Sequence, residues 1–129
     1  MNQKVDLIMQ SKKSRQWQQM FEHADALINL HPRKPEGHRH KGDALIMLGQ
    51  QEQDDTAAIQ ILTESDLCLR KALGLCNGPS YRWMEKEITQ SQSKNAKVKT
   101  LKERKKTCKE KTAILDQLKL AMEQYDTLM

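Results

Sequence analysis

Apolar residues recur every three or four positions through most of this chain, which is the spacing of one face of an α-helix. The clearest set lies between residues 17 and 28, and another runs from Ala58 to Cys76. Proline and glycine separate the sets, at Pro32, at Pro35 and at Asn77-Gly78-Pro79. The pattern predicts five helices within residues 1–90 and an all-α fold.

The third predicted helix begins at Pro35 and is expected to end at Gly49, because proline suits the first turn of a helix and glycine often terminates one. The polar stretch Gln50–Asp55 that follows is either a loop or the start of the next helix. After Gln90 a second polar stretch, Ser-Gln-Ser-Lys-Asn, predicts a weak point. We therefore divide the chain into a helical domain over 1–93 and a C-terminal segment over 94–129.

The C-terminal segment is basic first and apolar afterwards. Between Lys94 and Lys111 there are nine basic residues against Glu103 and Glu110, a local charge of +7, whereas the rest of the chain has 13 basic and 15 acidic residues. Apolar residues then return with a four-three spacing, which predicts one long helix with an apolar seam. The seam consists of Ile114, Leu118, Ala121, Tyr125 and Leu128, and it is widened by Leu115, Met122 and Met129.

The composition narrows the class of protein. The chain has 129 residues, and its longest apolar run, Ala44–Leu48, is far shorter than the roughly 20 residues that a membrane span needs. No apolar stretch of signal-peptide length follows Met1, so we expect an intracellular protein, with the cytoplasm preferred to the nucleus. The three cysteines form no CxxC pair, which argues against a redox or zinc motif.

The sequence offers no set of residues typical of catalysis or metal binding. His38 and His40 are two positions apart and would point to different sides of a helix, whereas two ligands on one helix are usually four positions apart. The chain also lacks a glycine-rich phosphate loop and a nucleophile turn. The sequence therefore predicts a non-enzymatic protein without a metal or a cofactor.

Two stretches, Leu27–Pro32 and Pro35–Gly49, look like the end of one helix pair and the first helix of the next. They resemble the tetratricopeptide repeat (TPR) family, whose repeats are helix pairs of about 34 residues. The resemblance places Gly42 where two helices cross closely, so leucine there is expected to destabilise the fold and alanine to be tolerated. About 11 residues more than the repeat allows separate Gly49 from Leu75, which implies either a longer second helix or a longer loop.

The resemblance covers residues 1–90 and implies an α-solenoid fragment of antiparallel helix pairs, whose first helices line a concave groove. TPR proteins are scaffolds and adaptors that bind a peptide or a helix of another protein in such a groove, and we expect the same function here. On the third helix, Arg39, His40 and Asp43 are expected to face the groove and contact the partner. The TPR positions that bind acidic chaperone tails hold unsuitable residues here, Glu85 among them, so a different partner is expected.

The basic stretch suggests an alternative function. Its candidate basic patch would contact nucleic-acid phosphates, which makes the protein a nucleic-acid-associated adaptor acting through the basic helix 94–111. A solvated linker helix or a nuclear localisation signal would explain the same residues. The patch consists of Lys102, Arg104, Lys105, Lys106 and Lys109.

The apolar seam near the C-terminus has three possible coverings, since an exposed face of this width invites association. The seam can fold back on the repeats as a cap, it can pack on another protein, or it can pack on a second copy of the chain. We favour the first two coverings over self-association, because parallel pairing of two copies would align their +7 stretches.

Overall fold

The computed structural model describes residues 2–128. It consists of five α-helices, α1 (Asn2–Lys13), α2 (Trp17–Leu30), α3 (Pro35–Gln51), α4 (Asp55–Leu75) and α5 (Arg82–Leu128), and of a short 3-10 helix over Pro79–Tyr81. No residue between 2 and 128 is in a β-strand, so the predicted all-α fold is confirmed. Within this range no helix has both the length and the apolar composition that crossing a membrane requires. Met129 of the predicted seam lies outside the described residues.

Each helix packs against the next one along the chain, and α3 also contacts α5. Two groups of buried apolar residues fill these contacts. One group consists of Ile8, Met20, Ala24, Leu27 and Ala44, and the other of Ile46, Leu69, Ala72, Met84 and Ile88. Because α3 contributes a residue to both groups, it is the central helix of the packed body.

α3 and α4 run antiparallel and approach closely, because glycine stands at two of their points of contact. A Cβ atom at Gly42 would lie 2.7 Å from Cγ of Leu69, and one at Gly49 would lie 2.7 Å from Cγ of Leu62. Both leucines are fully buried. The hydroxyl of Ser65 on α4 also donates a hydrogen bond of 2.7 Å to the carbonyl of Gly42. The two leucines therefore fill the space that side chains at the glycines would need.

The predicted end of α3 at Gly49 is wrong. The helix continues to Gln51, and Gly49 serves as a contact point for α4 instead of a terminator. The connection to α4 covers only residues 52–54, so the stretch Gln50–Asp55 contains a short loop between two helix ends, and the alternative of a longer loop is wrong. α4 has 21 residues, so most of the residues between Gly49 and Leu75 are helical.

α5 is a single helix of 47 residues, and it remains helical through the weak point predicted after Gln90. At this point Asn95 is buried, and its Nδ2 donates a hydrogen bond of 3.0 Å to the carbonyl of Leu62. The boundary that the sequence suggested between residues 93 and 94 therefore falls inside a helix whose first part belongs to the packed body.

The far end of α5 extends away from the other helices. Every residue from Thr107 to Leu128 is exposed, and the apolar seam faces solvent along its whole described length. The expected cap, in which this seam folds back on the preceding helices, is wrong because α5 does not turn back towards them. Among the coverings considered from the sequence, another protein and a second copy remain.

Substitution of Gly42 tests the close contact between α3 and α4. We expect Gly42→Leu to lower the free energy of unfolding by about 1–3 kcal/mol, because the added atoms overpack the contact with Leu69. The contact also changes the expectation for Gly42→Ala, which should now destabilise the fold although alanine is favoured over glycine by about 1 kcal/mol within a helix. Urea unfolding followed by circular dichroism measures both effects.

Gly74→Ala is the matched control for these variants. A Cβ atom at Gly74 would meet nothing within 4 Å, so this substitution should leave the free energy of unfolding unchanged or raise it by less than about 1 kcal/mol. If Gly42→Ala proved as stable as Gly74→Ala, the close contact between the two helices would be refuted.

Candidate partner-binding groove

An open groove of about 720 Å³ lies on the side of the body where α3 and α5 supply most of the lining. Two of the three residues that the sequence placed at a partner-binding surface, Arg39 and Asp43, line it. The complete lining consists of Lys12, Arg15, Trp17 and Met20 from α1, α2 and the turn between them, of Arg39, Asp43, Ile46, Met47 and Gln50 from α3, and of Glu87, Gln90, Ser91 and Lys94 from α5.

Arg39 is held between α3 and α5 by three contacts. Its guanidinium forms an ion pair with the carboxylate of Glu87 and lies 3.8 Å from the carboxylate of Asp43. The same group is 5.8 Å from the centre of the Trp83 ring, which is within the range of a cation–π contact. Because only 14% of the Arg39 side chain is exposed, these contacts fix its position in the wall of the groove.

Asp43 lies one helical turn after Arg39 and is also largely buried, with 17% of its side chain exposed. Burial raises the pKa of the Asp43 carboxyl above its ordinary value, whereas a hydrogen bond with Ser91 and the charge of Arg39 act in the opposite direction. Asp43 and Glu87 together place two carboxylates beside one guanidinium, so Arg39 carries little uncompensated charge.

The expectation that His40 faces the groove is wrong. The residue is 7% exposed, because a helix turns by about 100° per residue and therefore directs His40 away from the face that carries Arg39. Burial, followed by the positive charges of Arg39 and Lys12, lowers the pKa of His40 to about 4. His40 is thus a neutral interior residue at physiological pH.

This buried histidine should make the fold sensitive to acid. The pKa of His40 falls from 6.5 to about 4 on folding, so between these values the unfolded chain binds a proton that the folded chain does not bind, and stability falls as the pH falls. We expect a loss of about 2 kcal/mol between pH 7 and pH 5, measured by urea unfolding. His40→Gln should remove most of this loss, and His23→Gln should retain it; equal pH profiles for the two variants would contradict the assignment.

The groove contains functional candidates that sequence reasoning missed. Lys12, Arg15 and Lys94 are part of its lining, and each of these cations is exposed. Trp17 and Met47 add a partly buried apolar surface next to these cations. Lys12 lies in the last turn of α1 and Arg15 just after it, whereas Lys94 lies on α5, so the spacing of residues along the chain does not indicate that Lys94 joins the other two.

The candidate basic patch is divided by the structure. The Nζ of Lys102, a buried residue, donates a hydrogen bond of 2.7 Å to the carbonyl of Glu52 after the end of α3. The Nζ of Lys109 lies 2.8 Å from the carboxylate of Asp55 in the first turn of α4 and lowers the pKa of that carboxyl by a hydrogen bond. The expectation of a free patch is therefore wrong for Lys102, while Arg104 and Lys105 are exposed and Lys106 is half-buried.

Removal of the Lys102 ammonium tests its structural role. Lys102→Met keeps the apolar stem but leaves the carbonyl of Glu52 without this donor, so we expect the free energy of unfolding to fall by about 1–3 kcal/mol. Lys97→Met changes an exposed lysine of the same helix and should change stability by less than about 0.5 kcal/mol. Equal effects in urea unfolding would show that Lys102 is not a structural residue.

Comparisons with known proteins do not identify the chain: no protein-family model, no curated protein and no solved structure matches it. Among residues 2–128, no group of three or more histidine, cysteine, aspartate or glutamate side chains has the arrangement of a metal site. The groove and α5 are therefore the features from which a function can be inferred.

Proposed function

We propose that this protein is a non-enzymatic interaction module with a TPR-like arrangement of helix pairs, which binds a segment of another protein in the groove. The observation that carries the proposal is the position of the groove, which is lined mainly by α3 and α5, the first helices of successive pairs, whereas α1 contributes Lys12 and α2 contributes Trp17 and Met20. The close crossing of α3 and α4 at Gly42 supports it as well, because the resemblance assigns a close helix crossing to this position.

The lining of the groove defines the chemistry of the partner. Arg39 is compensated by Glu87 and Asp43, whereas Lys12, Arg15 and Lys94 are exposed cations at the same surface. Trp17, Met20, Ile46 and Met47 add apolar surface to the same lining. A partner segment with acidic residues beside an apolar stripe, as on an amphipathic helix, complements both features.

An intracellular location, in the cytoplasm, is part of this proposal. The three cysteines are free thiols, which is usual for proteins of a reducing compartment. The alternative of a nucleic-acid-associated adaptor has less support, because Lys102 and Lys109 of the basic patch are bound to groups of the same chain.

The proposal is tested by selection of a displayed peptide library on the immobilised full chain. Random peptides long enough for about four helical turns are selected, and the enriched peptides are measured by fluorescence anisotropy. We expect enrichment of acidic residues beside apolar residues three and four positions apart. The double variant Lys12→Glu/Lys94→Glu should bind these peptides about tenfold or more weakly, because it reverses the charge around the groove.

Lys71→Glu/Lys86→Glu is the matched control. It reverses two exposed lysines that do not line the groove, and it should retain binding. Equal loss of binding in the two double variants would contradict the proposal, as would enriched peptides without acidic residues.

A further inference from the structure

The end of α5 carries an apolar face that the groove does not explain. Its large apolar side chains are more than half exposed, from 55% at Leu118 to 87% at Leu128. Residues 110–128 extend about 28 Å at the rise of an α-helix, and an unsupported helix of this length is only marginally stable in water. A stable helix here requires a covering for this face.

The exposed face has the seven-residue period of a two-stranded coiled coil. Three of its residues, Cys108, Leu115 and Met122, are seven positions apart. Leu118 lies three positions after Leu115, and Tyr125 lies three positions after Met122. All five are exposed. The buried contacts of α5 with the body, at Ile88, Asn95 and Lys102, lie on another side of the helix, so a partner helix would not meet the body.

The charges along the end of α5 are complementary to those of a second α5 that runs in the opposite direction. Residues 94–111 have a net charge of +7, whereas residues 112–128 have Lys119 against Asp116, Glu123 and Asp126, a net charge of −2. Parallel pairing of two copies would align the two basic stretches. Antiparallel pairing instead places the acidic end of each helix along the basic stretch of the other, where charges of opposite sign attract.

We propose that a second copy of this chain covers the face, with the two α5 helices antiparallel and related by a twofold axis between residues 116 and 117. This register places Leu115 of one copy against Leu118 of the other, Cys108 against Tyr125, and Asp126 beside Lys105. A register shifted by one heptad would place Leu118 of one copy against Met122 of the other. It would also bring the two Lys119 residues close together, and the two acidic helix ends as well. The overlap covers residues 105–128 and leaves both partner-binding grooves free.

From the sequence, self-association is disfavoured only by the repulsion between parallel copies. This repulsion does not apply when the helices are antiparallel, because the basic stretches then lie at opposite ends of the overlap. The pairing is isologous, so each copy uses the same surface and the assembly closes at two chains.

Sedimentation equilibrium tests the dimer with two matched leucine variants. Leu118 and Leu120 are 55% and 57% exposed, but only Leu118 lies in the seam, whereas Leu120 lies on the outer side of the paired helix. We expect a dimer for the wild type and for Leu120→Glu, and a dissociation constant raised about tenfold or more for Leu118→Glu. A monomeric wild type, or equal effects of the two variants, would overturn the proposal.

Disulfide formation tests direction and register in a background with Cys68→Ser and Cys76→Ser. In the antiparallel register the two Cys108 residues are about 25 Å apart along the axis, far beyond the reach of a disulfide, so Cys108 alone should not cross-link under mild oxidation. Tyr125→Cys together with Cys108 should cross-link, and Tyr125→Cys with Cys108→Ser should not. Efficient cross-linking with either single cysteine, or none with both, would overturn the proposed pairing.

Discussion

The close antiparallel contact between α3 and α4 is the constraint on which the rest of the structure depends. Gly42 and Gly49 are seven residues apart on α3, and the leucines that fill their positions, Leu69 and Leu62, are seven apart on α4. Two helices that meet at both points cannot slide past or rotate against each other without a steric clash. Because α3 also contributes to both buried apolar groups, this contact positions one wall of the groove.

Polar contacts then fix α5 on this pair of helices. Asn95 and Lys102 donate hydrogen bonds to main-chain carbonyls of α4 and of the α3–α4 connection, and Lys109 pairs with Asp55. The three residues are seven positions apart, so they lie along one side of α5 and determine its rotation. The same rotation turns Glu87 and Lys94 into the groove and the apolar seam at the end of α5 away from the body.

The sequence predicted the helices better than their ends. Apolar periodicity identified the buried face of α2 and most of α4, and Gly42 was placed at a close crossing. The continuity of α5 was not predicted, because part of this helix is held on the body by hydrogen bonds from Asn95 and Lys102 to main-chain carbonyls. The spacing of apolar residues contains no information on such contacts. The prediction that Arg39 and Asp43 lie at the groove agrees with the structure. The same prediction is wrong for His40, because successive side chains of a helix point about 100° apart. Lys94 of α5 is far in sequence from Lys12 and Arg15, and only the fold brings these cations together at the groove.

Hydrogen exchange of individual backbone amides tests most directly whether the contact between α3 and α4 supports the rest of the molecule. If it does, amides near Gly42 and Gly49 and those near Leu62 and Leu69 exchange only by global unfolding, with a free energy equal to that from urea unfolding. The amides of α1 should exchange by smaller openings with a lower free energy. Exchange of α3 or α4 through local opening, while α1 or α5 keeps the highest protection, would contradict the account.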